Sequence, residues 1–191
     1  MDENPPLPNA LIVDDEEEVA DAYALRLRGL CSVETVYSGE AALSTVASEE
    51  VDIVLLDRHM PGMSGDEVLE ELGDREFAGR VIMVTAIDPG FDVLDMPFDD
   101  YLCKPVERED VRAAVDQQCR ILGYETLGKY FSLASKCSVI EAELPAGQRE
   151  DHEEYQEAKA RTRELEGRVR RLLDDPDPLL EAFETVSREG Q

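Results

Sequence analysis

Residues 51–65 read VDIVLLDRHMPGMSG, and this stretch decides the fold. From Val51 to Leu56 the run is apolar except for Asp52, the pattern of a parallel strand buried on both faces. Asp57 then brings a carboxylate to the strand's carboxyl end. Met60-Pro61-Gly62 turns the chain, and Ser64 or Gly65 opens a helical pattern. In open α/β sheets the carboxyl ends of the strands carry the ligands and the chemistry. A lone aspartate there would more simply end a strand, so its meaning depends on what the rest of the chain brings to the same edge.

Upstream, Ala10–Val13 is a short apolar strand that runs straight into Asp14 and Asp15. Glu16–Leu30 follows with a helical period at Val19, Ala20, Tyr23, Leu27 and Leu30, an acidic first turn and Gly29 near its end. Ser32–Tyr37 alternates as a second strand, and Ser38 with Gly39 begins a helix to about Ala47. Downstream of the central stretch come a helix from Gly65 to Leu72 and the apolar run Arg80–Ile87, which contains Thr85. A short strand over Asp100–Lys104 follows, then Pro105 and a helix over Glu107–Leu122. Strand and helix alternate, which predicts a five-stranded parallel sheet with helices on both faces. One crossover is irregular. Prolines at 89 and 97 leave room for about one turn of helix between the fourth and fifth strands.

Asp14, Asp15 and Asp57 meet at one edge if the first and third strands are neighbours. Three carboxylates that close repel one another and call for a cation. Oxygen-only ligands with room for water describe Mg²⁺. Lys104, at the end of the fifth strand, adds a positive charge that can reach an anion held there, and Thr85 ends the fourth strand with a hydroxyl. Together these groups form a site for handling a phosphoryl group.

With Val13-Asp14-Asp15, Asp57-x-x-Met60-Pro61-Gly62, Thr85-Ala86 and Tyr101-x-x-Lys104-Pro105 in this order and spacing, the chain from 10 to 122 resembles a response-regulator receiver domain. The resemblance implies a flavodoxin-like sheet of order 2-1-3-4-5. It implies that Asp57 accepts a phosphoryl group from a histidine kinase, and that Asp15 and Asp57 bind Mg²⁺ with the backbone carbonyl of His59 while Asp14 assists through water. It implies that Thr85 and Lys104 contact the phosphoryl oxygens, that Lys104–Pro105 is cis, and that Tyr101 moves inward as Thr85 is drawn to the phosphate. The His59 side chain is expected to face solvent. Such a domain is a phosphoacceptor switch rather than an enzyme, with at most slow self-dephosphorylation. A phosphatase using Asp57 as nucleophile is the reading from another class, but His59 stands where such enzymes usually keep a second acid. The resemblance assigns residues 8–122 to the receiver and 123–191 to a C-terminal output domain.

Beyond Leu122 the pattern is helical throughout. Tyr130, Leu133, Cys137, Ile140 and Leu144 recur at steps of three and four, as do Tyr155, Ala158, Thr162, Leu165, Val169 and Leu172, with Pro145 and Gly147 between the runs. Two seams of this kind predict an antiparallel helical hairpin. Asp174–Pro178 should break the second helix, and a short helix is expected over Leu179–Ser187. Leu127-x-x-Tyr130-Phe131, Ala134-x-Lys136, Ile140-Glu141 and Glu154-Tyr155 make this part resemble the HalX domain of haloarchaeal regulators, which implies control of transcription. The alternative is a tail that binds only protein, as an adaptor or a homodimer docking Leu127, Phe131 and Leu173 on a second copy. The route to that dimer would be the helix Glu107–Leu122.

Composition sets bounds on these readings. The 191 residues are 42% apolar, enough for one packed domain and an appendage. Acids number 45 against 19 bases, only four of them lysine, for a formal charge of −26. Acid this widely spread through apolar runs indicates adaptation to high salt rather than disorder. Residues 120–191 carry −5 and the remainder −21, so the tail is the better candidate for DNA. Arg161, Arg163, Arg168, Arg170 and Arg171 cluster there, by default a solvated, ion-paired helix face, with a phosphate-contacting patch as the alternative and no helix-turn-helix spacing. Cys31, Cys103, Cys119 and Cys137 lack the spacing of a zinc site and fit free thiols. No apolar run approaches the ~20 residues of a membrane span, and an acidic, proline-bearing start is not a signal region. A cytoplasmic protein is expected. Its melting temperature, followed by circular dichroism, should rise steadily from dilute to molar KCl, and a flat profile would remove the high-salt reading.

Overall fold

The computed structural model describes residues 6–181. They divide into two compact units, Leu7–Cys119 and the residues from Arg120 onward. The first contains five parallel strands, β1 (Asn9–Val13), β2 (Ser32–Val36), β3 (Ile53–Leu56), β4 (Arg80–Thr85) and β5 (Asp100–Cys103). They lie in the order β2-β1-β3-β4-β5, the flavodoxin-like arrangement implied by the resemblance. All four residues of β3 are buried, because a central strand covered on both faces has no wet side. Asp52, the polar interruption in that apolar run, lies just before the strand and accepts a hydrogen bond from the Asn9 amide at 2.9 Å. Val13 is paired with Leu56. Their successors, Asp14 and Asp57, therefore leave the sheet side by side.

Helices α1 (Glu17–Leu27), α2 (Gly39–Ser48) and α3 (Gly65–Asp74) follow the first three strands. Ser64 caps α3 in a capping box: its hydroxyl accepts from the Glu67 amide, and the Glu67 carboxylate accepts from the Ser64 amide at 2.8 Å. Gly62 takes φ +79° in the turn before it, a conformation glycine adopts without steric cost. The crossover after β4 is a 3-10 turn over Phe91–Asp95, so the abbreviated segment is irregular, as its two prolines predict.

The next helix is longer than the expected Glu107–Leu122. α4 runs Arg108–Glu143 without a break, because nothing between Leu122 and Glu143 forces one. A glycine at 123 or 128 costs a helix about 1 kcal/mol but does not stop it. α4 ends ahead of Pro145, a one-turn α5 (Ala146–Glu150) follows, and α6 spans Glu153–Leu172. Within the second unit Gly123 lies against Leu172 and Leu173, while Glu141 meets Tyr155 and Lys159. These contacts, opposite in chain sense, make the antiparallel hairpin. Its core holds Leu127, Tyr130, Leu165, Val169, Leu173 and Leu180, with Phe131 packed against them. That corrects the expectation that Leu127, Phe131 and Leu173 face a second copy. Leu127 continues the seam three residues before Tyr130, and the turn at Pro176 brings Leu180 over Leu173. Leu144, expected in the seam, is exposed because the helix ends before it. Residues 177–181 are helical, and the rest of the helix expected to Ser187 lies outside the described residues.

Gly65 shows how tightly the central loop is packed. A Cβ there would sit 2.1 Å from the Asp57 carbonyl oxygen and 2.8 Å from Arg58 Cα, and backbone cannot yield as a flexible side chain does. Gly65→Ala should therefore cost about 1–3 kcal/mol in denaturant unfolding, whereas Gly73→Ala, with open space around it, should not destabilise.

Candidate functional site

The carboxyl edge of the sheet gathers what the sequence placed there. Carboxylate oxygens of Asp14, Asp15 and Asp57 all lie within 4.8 Å of one another. Asp14 and Asp57 are buried and Asp15 is half-buried. Asp57 is fixed by its amide, which donates to the Val13 carbonyl at 2.9 Å, so β1 positions the carboxylate that ends β3. Lys104 Nζ reaches both buried acids, at 2.6 Å from Asp14 Oδ2 and 3.1 Å from Asp57 Oδ2. Burial opposes the charge on Lys104. The hydrogen bonds it donates to Asp14 and Asp57 outweigh that cost and hold the ammonium above its ordinary range.

Lys104 is itself held at both ends of its backbone. Its amide donates to the Thr85 carbonyl at 2.8 Å, and its bond to Pro105 is cis. Thr85 is fully buried at the end of β4, and its hydroxyl accepts a weak bond from the Ile87 amide at 3.4 Å. The His59 side chain is exposed, and its amide points to Asp57 Oδ1 at 3.4 Å. Tyr101 is half-buried, packed on Phe98 with ring centroids 5.5 Å apart. Its hydroxyl donates to the Ile87 carbonyl at 2.8 Å, so it grips the chain two residues past Thr85. Burial raises the Tyr101 phenol above its usual value. Three hard oxygen donors, one of them half-open to water, fit a small divalent cation.

One participant was not singled out from the sequence. Arg58, immediately after Asp57, donates through Nε to both oxygens of Asp66 at 3.0 and 3.1 Å and through a terminal nitrogen to Asp92 at 2.8 Å. The hydrogen bonds it donates to Asp92 and then to Asp66 raise its basicity further. Arg58 thus joins the loop after β3 to the first turn of α3 and to the 3-10 turn, along a cleft of about 510 Å³ that His59 and Met60 also line. No periodicity links positions 58, 66 and 92, so only the tertiary fold reveals the contact.

Comparison with known proteins agrees with this geometry. Residues 10–116 match the response regulator receiver domain and residues 120–187 the HalX domain. The chain belongs to the response regulator receiver family. It carries that domain followed by a HalX domain. A Haloferax volcanii protein named "Putative transcriptional regulator" is 42% identical over 134 residues, 69% of this chain and 23% of that protein. RegX3, a sensory transduction protein of Mycobacterium tuberculosis, is 41% identical over 112 residues, 56% of this chain and 48% of its own. Among solved structures, a CheY-like receiver domain from Methanospirillum hungatei superposes with a TM-score of 0.59 at 27% identity, covering 62% of this chain and 98% of that one. The BeF3-activated DrrB receiver domain gives 0.54 at 27% identity, covering 58% and 96%. The chain spans between about a quarter and about half of the length of these curated relatives. No helix among the described residues is long and apolar enough to cross a membrane.

The Arg58–Asp92 pair should govern how firmly the 3-10 turn is held. In Arg58→Ala the amides of Val93 and Met96, bonded only loosely at 3.4 and 3.3 Å, should exchange hydrogen faster, with amides inside β3 unchanged. Equal exchange in both proteins would show that Arg58 does not hold the turn.

Proposed function

We propose that this chain is a two-component response regulator in which Asp57 accepts a phosphoryl group from the phosphohistidine of a sensor kinase. An Asp57 carboxylate oxygen attacks phosphorus, a P–O bond forms, and the P–N bond breaks with its electrons returning to the imidazole. Asp14, Asp15, Asp57 and the His59 backbone carbonyl would hold Mg²⁺, which when bound supplies positive charge beside the phosphoryl oxygens. Lys104 supplies fixed charge on the other side, and the Thr85 hydroxyl provides a hydrogen-bond donor. The observation that carries this reading is Lys104 Nζ placed between Asp14 and Asp57. A fixed cation there meets a transferred phosphoryl group without rearrangement of the sheet.

Switching would then pass through Thr85. Drawing its hydroxyl toward a phosphoryl oxygen strains the segment that Tyr101 grips at Ile87, so ring and segment move together. Residues 8–122 are read as the receiver and 123–191 as the output unit, acting on transcription in the cytoplasm. The name of the Haloferax relative supports that direction.

Incubation with a small phosphodonor and Mg²⁺, followed by peptide mapping, should label Asp57. Asp57→Ala should abolish the label, and label retained in that variant would overturn the assignment. Asp15→Asn should weaken Mg²⁺ affinity and labelling together. Unchanged affinity would place the metal elsewhere.

A further inference from the structure

Among the described residues of the second unit, two exposed lysines on one helix face carry no anionic partner. Acids outnumber bases 45 to 19 over the whole chain, and several of its cations are spent on them: Arg58 on Asp66 and Asp92, Arg75 on Glu71, Lys159 on Glu141, Arg170 on Glu166 and Asp177. Among the described residues, Lys129 and Lys136 have no carboxylate within ion-pair distance and no hydrogen bond from their side chains. The sequence withholds partners from Lys136, whose neighbours three and four residues away are Ser132, Leu133, Val139 and Ile140. Both lysines are exposed and line one groove of about 550 Å³ between α4 and α6, which Arg161 rims from the α6 side. Arg161 bonds to Glu164 at 3.0 Å, but both are well exposed, so the pair is weak and does not fix the guanidinium.

We propose that this groove contacts the phosphate backbone of duplex DNA. The inference rests on reading the second unit as the output of a transcriptional regulator, and it names the surface that unit uses. Lys129 and Lys136 are two helical turns apart, about 10.5 Å, roughly the rise of three phosphate-to-phosphate steps along one strand. Between them on the same face sits Ser132, a neutral donor suited to phosphate, and Gly128, where a Cβ would meet nothing within 4 Å, lies just before Lys129. Small residues beside unpaired cations let a bulky polyanion approach the helix backbone. An acidic protein would need apolar anchors as well. The groove offers few, since Leu165 on its floor is buried in the hairpin core. Glu125, at one end of the groove, opposes binding there and biases contact toward the Lys136 end. The arginines at the end of α6 do not form a comparable patch, because Arg170 is spent on Glu166 and Asp177.

The test uses the full chain, with and without phosphorylation of Asp57, and a fluorescent mixed-sequence duplex followed by anisotropy across a KCl series. Circular dichroism confirms folding at each salt concentration. The double variant Lys129→Gln/Lys136→Gln should weaken binding and make the slope of log affinity against log salt shallower by about 1.8. The double arginine variant should restore it, and Lys159→Gln, outside the groove, should leave it unchanged. A parent chain that binds no duplex in either state overturns the proposal, as does a glutamine variant with the parent's slope. Polyglutamate that binds the parent as tightly as the duplex, and is lost in the variant, replaces DNA with an acidic protein partner. Transcript levels in cells carrying Asp57→Ala test the parent reading separately. Altered transcripts without duplex binding sink only the groove, and unaltered transcripts with duplex binding sink only the regulatory role.

Discussion

The placement of one ammonium group, Lys104 Nζ, between Asp14 and Asp57 is the constraint on which the first unit depends. Two buried carboxylates side by side would repel strongly in a medium less polar than water. They are side by side because Val13 pairs with Leu56, and the chain cannot place one acid without the other. The compensating charge comes from β5, separated from β3 by β4. It arrives at the right depth because the Lys104 amide is tied to the Thr85 carbonyl. Sheet register and site electrostatics are one problem with one solution. Each strand end contributes one group, and the pairing sets the distances between them.

The short crossover after β4 changes how that edge is bordered. A full helix there would pack by burying an apolar stripe. The 3-10 turn instead leaves Phe91 93% and Leu94 79% exposed, so side-chain burial does little to hold it. Polar contacts do the holding: Arg58 to Asp92 at the turn itself, and Tyr101 to Ile87 just before it. Met96 and Phe98 at the segment's end pack on the core, so it is the 3-10 turn itself, tied to the residue next to Asp57, that has little packing to lose.

The second unit is organised differently. Its two helices close over a small apolar core at one end. At the other end they share a polar contact, in which the Tyr155 hydroxyl and the Lys159 ammonium both donate to Glu141 at 2.6 and 2.9 Å. The Tyr155 bond and then that of Lys159 hold the Glu141 carboxyl below its usual range. Its charge therefore belongs to the fold and is not free to repel an anion.

Much of this was legible in the residues alone. Period and apolar runs located the strands, because a buried parallel strand tolerates almost no polar side chain, and the order of Asp14, Asp15, Asp57, Thr85 and Lys104 along the chain located the site. The acid pair and Lys104 could be read because each directly follows or ends a strand, and strand ends share an edge. The unbroken length of α4 was less legible, since glycine at 123 reads as a stop signal but costs a packed helix little. Leu127 continues the period of the seam three residues before Tyr130, but the burial of Leu173 escaped because it needs Leu180 to fold back past Pro176, a contact with no periodic signature. Arg58 and its two carboxylates, and the unpaired state of Lys129 despite Glu125 four residues before it, were decided only by tertiary structure. Local sequence determines which residues a strand or helix presents, but which charges find partners depends on distances that exist only after the elements have packed.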